Sequence, residues 1–420
     1  MIRNMAQDND TLVTARFGAT VTTGLESIAQ DEIRQKLQIE ASILKGRIVF
    51  ETSRPIGDIL KLKTINNLFV IIHDEVFTDE QMPTESKYLE PLLMEIGERC
   101  DWRVGLLKWK EASGFERCDI DKMLTKDTDL KEVQPKFRVS SNRYGLKHTF
   151  TSPDICSTFG HVIDTKFGWP IRMKDYDLEV YANFSDNYLC VCISLTPGCL
   201  ASGHIKEFGL TTLRAVYCYA MLKLAKVETG DIVLDPMAGT GAISVETCYA
   251  WLDDEFHAFA MAGELQEIPL GKCSANLNID LHGRRPPSDK MRLDVTKMPI
   301  RDNCVDVIIS DLPFGRRHGS KRGNKTLYPA LLRSMGRVAR LNTGRAVLLT
   351  QDKHAIQLAS AANRDLWIER SFSHVKVGNL HCYFYIFQRN ETKFSHDKES
   401  DEQPKRADQK LRKVATNNKC

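Results

Sequence analysis

Acidic residues and a glycine turn in the C-terminal half of the chain have types and positions suited to chemistry on a bound ligand. The run VLDPMAGTGAISVE places Asp235 at the end of an apolar strand, with Gly239 and Gly241 in the turn that leads to a helix. Two further acids, Glu264 and Asp294, stand at the predicted ends of the next two strands. Ligands of open α/β sheets bind outside the carboxyl ends of the strands, and glycine lets the backbone approach them closely. We therefore predict one binding site built from this loop and these acids.

The loop D-P-x-x-G-x-G resembles known loops that receive a positively charged ligand with a ribose and an adenine. Glu264 can accept two ribose hydroxyls, as in dinucleotide folds, Asp294 can accept an adenine amine, and Asp235 suits a positive group. Ser244 stands where a dinucleotide loop has its third glycine, and the absence of a following G-K-[S/T] excludes a P-loop. A tight strand-to-helix turn and a solvated acid are the alternatives for the glycines and for Glu264 taken alone. The candidate cofactor-binding residues are Asp235, Pro236, Ala238, Gly239, Thr240, Gly241, Glu264 and Asp294.

A second loop, DLPFG, follows the fourth predicted strand and resembles known loops that bind a planar amine. Such an amine is a poor nucleophile because its lone pair is conjugated with the ring. Asp311 and the carbonyl of Leu312 can accept its two hydrogens, and Pro313 fixes the direction of that carbonyl. Phe314 can stack on the ring, which must leave its own stack to reach the pocket. These four residues are the predicted catalytic loop, with a plain strand end and turn as the alternative.

Basic residues cluster in two regions that favour RNA as the partner. Residues 131–176 hold eight Lys and Arg against four Asp and Glu, with aromatic residues between them. Residues 316–345 hold nine Lys and Arg and no acid, which fits a phosphate track or, alternatively, an exposed helix face. The predicted RNA-binding residues are Arg138, Arg143, Lys147, His148, Arg172, Lys174, Arg316, Arg317, Lys321 and Arg322.

Three zones of secondary structure must position these groups. Residues 11–80 alternate strand and helix patterns, which predicts a small α+β unit. Residues 79–135 carry charge runs and are predicted to be a connecting segment, partly helical and partly mobile, before a second small α+β unit. From residue 207 strands and helices alternate regularly, and the strands are nearly continuous apolar runs. This alternation predicts a doubly wound parallel sheet.

Composition excludes several classes of protein. The 420 residues are 42% hydrophobic with a net charge of +3, enough apolar material for real cores. The 12 cysteines include no C-x-x-C pair, so we predict free thiols in a reducing compartment and no metal site. The N-terminus lacks a signal peptide, and no stretch reaches the ~18 apolar residues of a membrane span. We expect a cytoplasmic protein without membrane contact, with the nucleus as a second location.

The motifs resemble those of a known family. The loop DPMAGTG resembles the S-adenosylmethionine loop of class I methyltransferases, and DLPF resembles the [D/N]-P-P-[Y/F] loop of enzymes that methylate planar nitrogens. Over about residues 15–390 the chain resembles the THUMP-domain-containing methyltransferases. The similar segments are TGLESIAQDEIRQKL, INNLFVII, FRVSSNRYGLKHTFTS, FGLTTLRAVYCYAMLKL, DPMAGTGAISVE and the block from DLPFG to LLTQD.

The resemblance implies an α/β fold in four parts. These are a ferredoxin-like domain at 11–95, a linker and THUMP RNA-binding domain at 96–205, a Rossmann-like methyltransferase domain at 206–390 and a disordered tail at 391–420. It also implies S-adenosyl-L-methionine as cofactor and N2-methylguanosine in the tRNA acceptor region, at positions 6 and 7, as product. The THUMP half would hold the 3′ CCA end of tRNA.

The resemblance implies a heterodimer with a small zinc-binding activator subunit, which in this class adds to the methyltransferase sheet. Trp251, Phe256, Phe259 and Met261 are candidate contacts, with ordinary core positions as the alternative. Two other functions stay open. A sister group of the family is thought to methylate a spliceosomal small nuclear RNA, and a retired methyltransferase domain would leave a non-catalytic RNA-binding or assembly factor.

Overall fold

The computed structural model describes residues 13–78, 85–145, 148–200, 203–315 and 320–396, and it divides into two compact units. The first unit ends at Gly203 and the second begins at His204. Each unit has its own sheet. The predicted site residues of the cofactor loop and the catalytic loop all belong to the second unit.

The first unit contains eight strands and six helices among its described residues. The strands are β1 Ala15–Val21, β2 Ala41–Leu44, β3 Arg47–Thr52, β4 Ile65–Val76, β5 Phe137–Ser140, β6 Arg143–Tyr144, β7 Leu178–Ser185 and β8 Tyr188–Ser194. The helices are α1 Glu26–Leu37, α2 Ile56–Ile59, α3 Leu89–Arg99, α4 Trp102–Ser113, α5 Ile120–Met123 and α6 Ser152–Phe167. These elements confirm the alternation of strand and helix patterns expected over residues 11–80.

One sheet joins the two α+β units that the sequence predicts in this half. Its order is β2-β3-β1-β4-β8-β7-β5, with β6 beside β7, and β4 pairs antiparallel with β8. Residue 95, where the predicted ferredoxin-like domain ends, lies inside α3 and marks no break in the sheet. The long strand β4 connects the halves because it pairs with β1 on one side and with β8 on the other. Its residues Leu68, Val70 and Ile72 face the core.

The segment predicted as a connection is more ordered than expected over residues 85–135. It forms α3, α4 and α5, and α4 lies on the sheet where Gly105 leaves room for Ile72 and Ile193. A Cβ at Gly105 would lie 2.4 Å from Ile72 Cγ2, so glycine permits this close approach. These three helices confirm the helical part of the predicted connecting segment, although charged surface positions masked the apolar face of α4 in the sequence.

The second unit contains seven strands and five helices among its described residues. The strands are β9 Ile232–Asp235, β10 Phe259–Glu264, β11 Ser288–Arg292, β12 Val307–Asp311, β13 Arg345–Thr350, β14 Trp367–Val377 and β15 Leu380–Arg389. The helices are α7 Ala215–Leu224, α8 Ala242–Leu252, α9 Glu267–Asn276, α10 Lys321–Val338 and α11 Lys353–Ala362.

The sheet order β11-β10-β9-β12-β13-β15-β14 confirms the predicted α/β architecture. The chain winds outward from β9 to β11, returns to the middle at β12 and continues in the other direction. Strands β9 to β13 are parallel, and only β15 runs antiparallel to its neighbours. The order reverses between β9 and β12, and ligands of such sheets bind at that point, outside the carboxyl ends.

Ordered structure extends beyond residue 390, where the predicted tail begins. Phe394 packs against the main core of the second unit, and the Arg333 guanidinium lies 4.8 Å from the centre of its ring. His396 Nε2 lies 2.9 Å from Asp302 Oδ2. The first six residues of the predicted disordered tail are therefore part of the folded unit, and residues 397–420 lie outside the described residues.

Candidate active site

The fold brings the four predicted acids to one edge of the second sheet. Asp235 and Glu264 end β9 and β10, Asp311 ends β12, and Asp294 follows two residues after β11. These strands are parallel neighbours, so their carboxyl ends lie side by side. This matches the arrangement that the sequence predicts, except that β11 ends at Arg292 rather than at the acid.

The glycine turn after β9 has a backbone that favours glycine. Gly239 and Gly241 have φ angles of 55° and 84°, in the left-handed region. A Cβ at Gly241 would lie 2.7 Å from Cys273 Sγ, so this glycine is required for packing. No atom lies within 4 Å of a Cβ built on Gly239, so the turn opens there to a space that can receive a ligand. Gly241 is the N-cap of α8, whose first turn adds free N–H groups to this opening.

Asp235 shapes the loop from below. The residue is only 3% exposed. Its Oδ1 accepts hydrogen bonds from Ser310 Oγ at 2.8 Å and from Met237 N at 3.1 Å. Burial raises the pKa of Asp235 to about 7. Pro236 and Ala238 continue the turn, and Ala238 N donates to the carbonyl of Gly263 at 2.8 Å. Asp235 is therefore predicted to act on a positive group through the electrostatic field of its buried carboxylate.

Glu264 and Asp294 are held by backbone amides. Glu264 Oε2 accepts from Gly239 N at 2.9 Å, and Oε1 accepts from Gln266 N at 2.8 Å. Each carboxylate oxygen has a second lone pair, so both can still accept a ligand hydroxyl. Asp294 Oδ1 accepts from the side chain and the amide of Thr296, and these bonds lower its pKa. Both side chains are thus oriented before a ligand arrives.

Asp311 is the unusual acid of the site. Its Oδ1 is buried and has no hydrogen-bond partner among the described residues. Burial and the neighbouring Asp235 raise its pKa to about 8. A buried polar atom without a partner costs free energy, so its retention at the mouth of a parallel sheet points to a ligand that supplies the partner.

The rest of the catalytic loop is fixed through one carbonyl. The carbonyl of Pro313 accepts from Asn324 Nδ2 at 2.9 Å and from the hydroxyl of Tyr328 at 2.8 Å. Leu312 is 1% exposed and packs in the core below, which anchors the backbone on that side. Phe314 follows, half-buried at the edge.

Several residues that position the site were not predicted. Asn324 and Tyr328 hold the catalytic loop, and Ser310 holds Asp235. On the cofactor side, Thr212 Oγ1 lies 3.0 Å from Thr240 Oγ1, while Asn276 Nδ2 donates to the Thr240 carbonyl at 2.9 Å. The segment FGLTTLR contains Thr212, and GNKTLYP contains Asn324 and Tyr328. The residue types alone do not distinguish a positioning role from a surface role.

The predicted RNA-binding residues of the first unit divide into exposed and occupied groups. Arg172 and Lys174 are exposed. Arg138 pairs with Glu179 at 2.6 Å and lies over the ring of Tyr176, and Arg143 donates to nearby carbonyls at 3.3 and 3.4 Å. Lys147 lies outside the described residues.

His148 does not fit the predicted RNA-binding role. It is 6% exposed, its Nε2 lies 2.7 Å from the Asp186 carbonyl, and its ring stacks on Phe150. The structure makes it a packing residue. The rings of Phe150 and Phe184 pack against it. The polar residue type of histidine did not indicate this burial.

The second basic region does not form a continuous phosphate track. Arg333, Arg337, Arg340 and Arg345 pair with Asp365, Asp302, Asp306 and Asp231, respectively. Helix α10 is 18 residues long, roughly 27 Å, so its last turns lie far from the carboxyl edge. Arg322 is exposed in its first turn. Arg316, Arg317 and the side chain of Lys321 lie outside the described residues.

Two further searches of the described residues gave no site. They contain no group of His, Cys, Asp and Glu side chains arranged to hold a metal ion. Within the same residues, no helix combines the length and apolar character that a membrane span requires.

Comparison with known proteins places this site in a family. The family model described as UPF0020, the RMKL-like methyltransferase domain, matches residues 204–268 and 273–382. The bovine protein named tRNA (guanine(6)-N(2))-methyltransferase THUMP3 is 32% identical over 92% of this chain and 90% of its own length. The mouse protein named U6 snRNA (guanine-N(2))-methyltransferase THUMPD2 is 26% identical over 81% of this chain and 75% of its own length.

Two solved structures show the same fold over nearly the whole chain. TrmN from Thermus thermophilus has a TM-score of 0.71 at 22% identity and covers 90% of this chain and 100% of its own. SMU.472, described as a putative methyltransferase complexed with SAH, has a TM-score of 0.65 at 14% identity and covers 89% and 98%.

Proposed function

The chain belongs to the THUMP-type guanine-N2 RNA methyltransferases, and we propose that it transfers a methyl group from S-adenosyl-L-methionine to N2 of a guanosine in the acceptor region of tRNA, at position 6 or 7. The observation that carries this proposal is the buried Oδ1 of Asp311, which has no hydrogen-bond partner within the part of the chain that the structure describes, beside the open glycine turn. An exocyclic amine held there can donate to that oxygen.

The residues present fit the cofactor. Glu264 can accept the ribose hydroxyls, Asp294 Oδ2 can accept the adenine amine because its Oδ1 is the atom bonded by Thr296, and the opening over Gly239 accommodates the remainder. The buried carboxyls of Asp235 and Asp311 favour a positive charge at the carboxyl edge once they ionise. When bound, S-adenosyl-L-methionine supplies an electrophilic methyl group on its sulfonium.

The chain's own groups orient the amine. The Pro313 carbonyl is occupied by Asn324 and Tyr328, which leaves the Leu312 carbonyl and Asp311 as the loop acceptors for the two amine hydrogens. Two acceptors on one side favour a pyramidal nitrogen with its lone pair directed away from them. Phe314 can stack on the flipped base. The loop thus contributes orientation and electrostatic stabilisation.

Ionised Asp311 accepts an amine hydrogen more strongly than the neutral carboxyl does. Its pKa of about 8 means that the free enzyme holds much of this carboxyl in the neutral form near neutral pH. A bound positive charge lowers that pKa, so cofactor binding and the active protonation state support each other.

The tRNA substrate is supported by the curated relatives and by charge. The identity to the THUMP3 protein is higher than to the THUMPD2 protein and covers more of the chain. Arg172 and Lys174 are exposed cations of the first unit that can contact phosphates.

We also propose that a small zinc-binding activator subunit pairs with the second unit. Among the described residues, strand β11 is one of the two edge strands of its sheet, and Leu265 and Ile268 beside it are 53% and 78% exposed. The four predicted contact residues are not such a patch, since Phe256 is 8% exposed and Met261 packs against the core. The complex is expected to act in the cytoplasm, with the nucleus as the alternative, which cell fractionation tests.

Incubation with labelled S-adenosyl-L-methionine tests the function. Unmodified tRNA and U6 small nuclear RNA transcripts are offered separately, with and without the activator, and nuclease digestion locates the modified nucleotide. Methyl incorporation as N2-methylguanosine in the tRNA acceptor stem is expected. An Asp311→Ala variant should lose more than 100-fold in turnover while tRNA binding stays within twofold of wild type. Incorporation only into the nuclear RNA, or none into either RNA with the activator present, would contradict the proposal.

A further inference from the structure

Aromatic and histidine side chains form an exposed cluster on the β14–β15 hairpin. Phe372 is 51% exposed, and its ring stacks on Tyr385 with centroids 5.6 Å apart and planes at 22°. His374 Nε2 lies 2.8 Å from His381 Nδ1, and His374 meets the ring of Tyr383 edge-on at 5.6 Å. We call Lys353, Phe372, His374, His381 and Tyr383 the hairpin platform.

Positive charge accompanies these rings. The ammonium of Lys353 lies 5.3 Å from the ring centre of Phe372 and 5.4 Å from that of Tyr383. Arg370 and Lys376 are exposed on the same strand. The acid of that strand, Glu369, accepts a hydrogen bond from Ser360 at 2.9 Å. Flat rings beside cations suit a nucleic acid, because the bases can stack on the rings and the phosphates can pair with the cations.

A chain of contacts leads from the catalytic loop to the platform. Asn324 Nδ2 bonds the Pro313 carbonyl at 2.9 Å and Asp352 Oδ2 at 3.2 Å, and Asp352 precedes Lys353. The loop and the platform therefore adjoin through the first turns of α10 and α11.

The strand register places the platform at the same sheet edge as Asp311. Asp311 pairs with Leu349, which pairs with Phe384, and Ser373 completes this row between the two exposed rings of β14. Three strand intervals separate Asp311 from β14, roughly 14 Å. The platform is thus too far away to hold the reacting base and close enough to hold a neighbouring nucleotide.

We propose that the hairpin platform binds an unpaired nucleotide of the RNA substrate next to the target guanosine, with a base stacked on Phe372 and a phosphate beside Lys353. The proposal rests on the proposed function, since it concerns the same RNA. A base taken out of a duplex leaves its neighbours unstacked, and a flat ring at this distance compensates for part of that loss.

The test uses the full chain with its activator and unmodified tRNA transcript. Phe372→Ala removes the stacking ring, Phe372→Trp keeps a flat ring, and Ile368→Ala is the control because Ile368 lies on the same strand and is 42% exposed. Direct tRNA binding is measured by fluorescence anisotropy, and kcat and KM by methyl incorporation. Cofactor affinity and thermal melting show whether each variant is intact.

Phe372→Ala is expected to weaken tRNA binding and raise KM for tRNA about 10-fold, the size of one lost base stack. Phe372→Trp and Ile368→Ala should stay within twofold of wild type, with cofactor affinity unchanged throughout. Lys353→Gln should reduce the salt dependence of binding by about one phosphate contact.

Equal tRNA affinity in Phe372→Ala and wild type would overturn the proposal, and so would loss of activator binding with tRNA affinity unchanged, because the platform would then face a protein. The measurement of tRNA binding distinguishes a failure of this inference from a failure of the proposed function. A wild-type enzyme that binds tRNA without methylating it contradicts the function, yet the variant series still decides whether the platform holds RNA.

Discussion

Replacing Asp311 with Asn should stabilise the free protein in a pH-dependent way. Asp311 has a pKa of about 8 in the folded chain against 3.8 as its ordinary value, because it is buried and faces Asp235. The folded state therefore binds this proton more tightly than the unfolded state. The stability that the neutral carboxyl allows is complete below pH 4 and is lost as the pH rises toward 8.

The size of this loss follows from the pKa difference. Four pH units at about 1.4 kcal/mol each give an upper limit of roughly 6 kcal/mol for the stability lost at high pH. The loss that corresponds to about one of these pH units is already complete at pH 5. Water that enters the open sheet edge reduces the true value. A gap of ~1–2 kcal/mol between pH 5 and pH 8 is a conservative expectation, which in a unit of this size is about 2–8 °C in melting temperature.

The assay compares melting temperatures of wild type and Asp311→Asn, without cofactor, at steps from pH 5 to pH 8. Any packing change caused by the amide is constant across pH, so only ionisation makes the gap between the two proteins widen. Asp294→Asn is the control. The pKa of Asp294 is lowered by Thr296, so the stability it contributes is lost only below pH 4 and its gap should stay flat.

A gap for Asp311→Asn that stays constant over this range would refute the assignment of a raised pKa. The kinetics give a second measurement. The asparagine oxygen still accepts one amine hydrogen, so turnover should fall without vanishing. In the wild type kcat/KM should rise with pH toward about 8, with the two carboxyls titrating as a coupled pair. This rise should be smaller in the variant, where Asp235 alone titrates.

Two further predictions concern positioning and RNA capture. Tyr328→Phe removes one of the two hydrogen bonds to the carbonyl in the catalytic loop, so kcat should fall about 10-fold while cofactor affinity stays within twofold of wild type, and an equal loss in both would indicate general disruption. Arg172→Glu with Lys174→Glu should weaken tRNA binding at least ~10-fold and lower its salt dependence, whereas Lys61→Glu, 75% exposed at its side chain, should change it little. Equal effects in the pair and the control, measured by filter binding over a salt series, would remove this surface from RNA capture.

The sequence predicts the site through its strand ends. Apolar strands that alternate with helices form a parallel sheet, and a parallel sheet necessarily brings its carboxyl ends to one edge. Three of the four acids end their strands, so their meeting follows from topology alone. The glycine turn can also be predicted locally, because glycine readily adopts the positive φ angles that Gly239 and Gly241 have.

Side chains that act through distant partners are harder to predict. Asn324 lies in the first turn of α10, and only the fold shows that it reaches both Pro313 and Asp352. The basic run fails as a phosphate track for a similar reason. Arg337 lies near the end of α10, far from the carboxyl edge of the sheet at which the helix begins. It pairs there with Asp302. Charge counts along a sequence do not show which acids face which cations.

The two buried carboxyls also predict how the site tells its cofactor from the spent cofactor. S-adenosylmethionine carries a positive sulfonium, and S-adenosylhomocysteine carries a neutral thioether in its place. Binding of a positive group lowers the pKa of Asp311 from about 8 and releases a proton, so affinity must rise with pH while that proton is still bound to the free enzyme.

Between pH 6 and pH 8 the affinity for S-adenosylmethionine should therefore rise by up to about 10-fold per pH unit, whereas the affinity for S-adenosylhomocysteine should change little. Isothermal titration of both ligands in buffers of different ionisation enthalpy measures the affinities and the released proton together. Asp311→Asn should bring the two pH dependences closer together, because the amide has no proton to release and only Asp235 then titrates in this range. Parallel pH dependences for both ligands in the wild type would show that the sulfonium lies beyond the field of Asp311, and the orienting role of this carboxylate would then have to be separated from any role in cofactor choice.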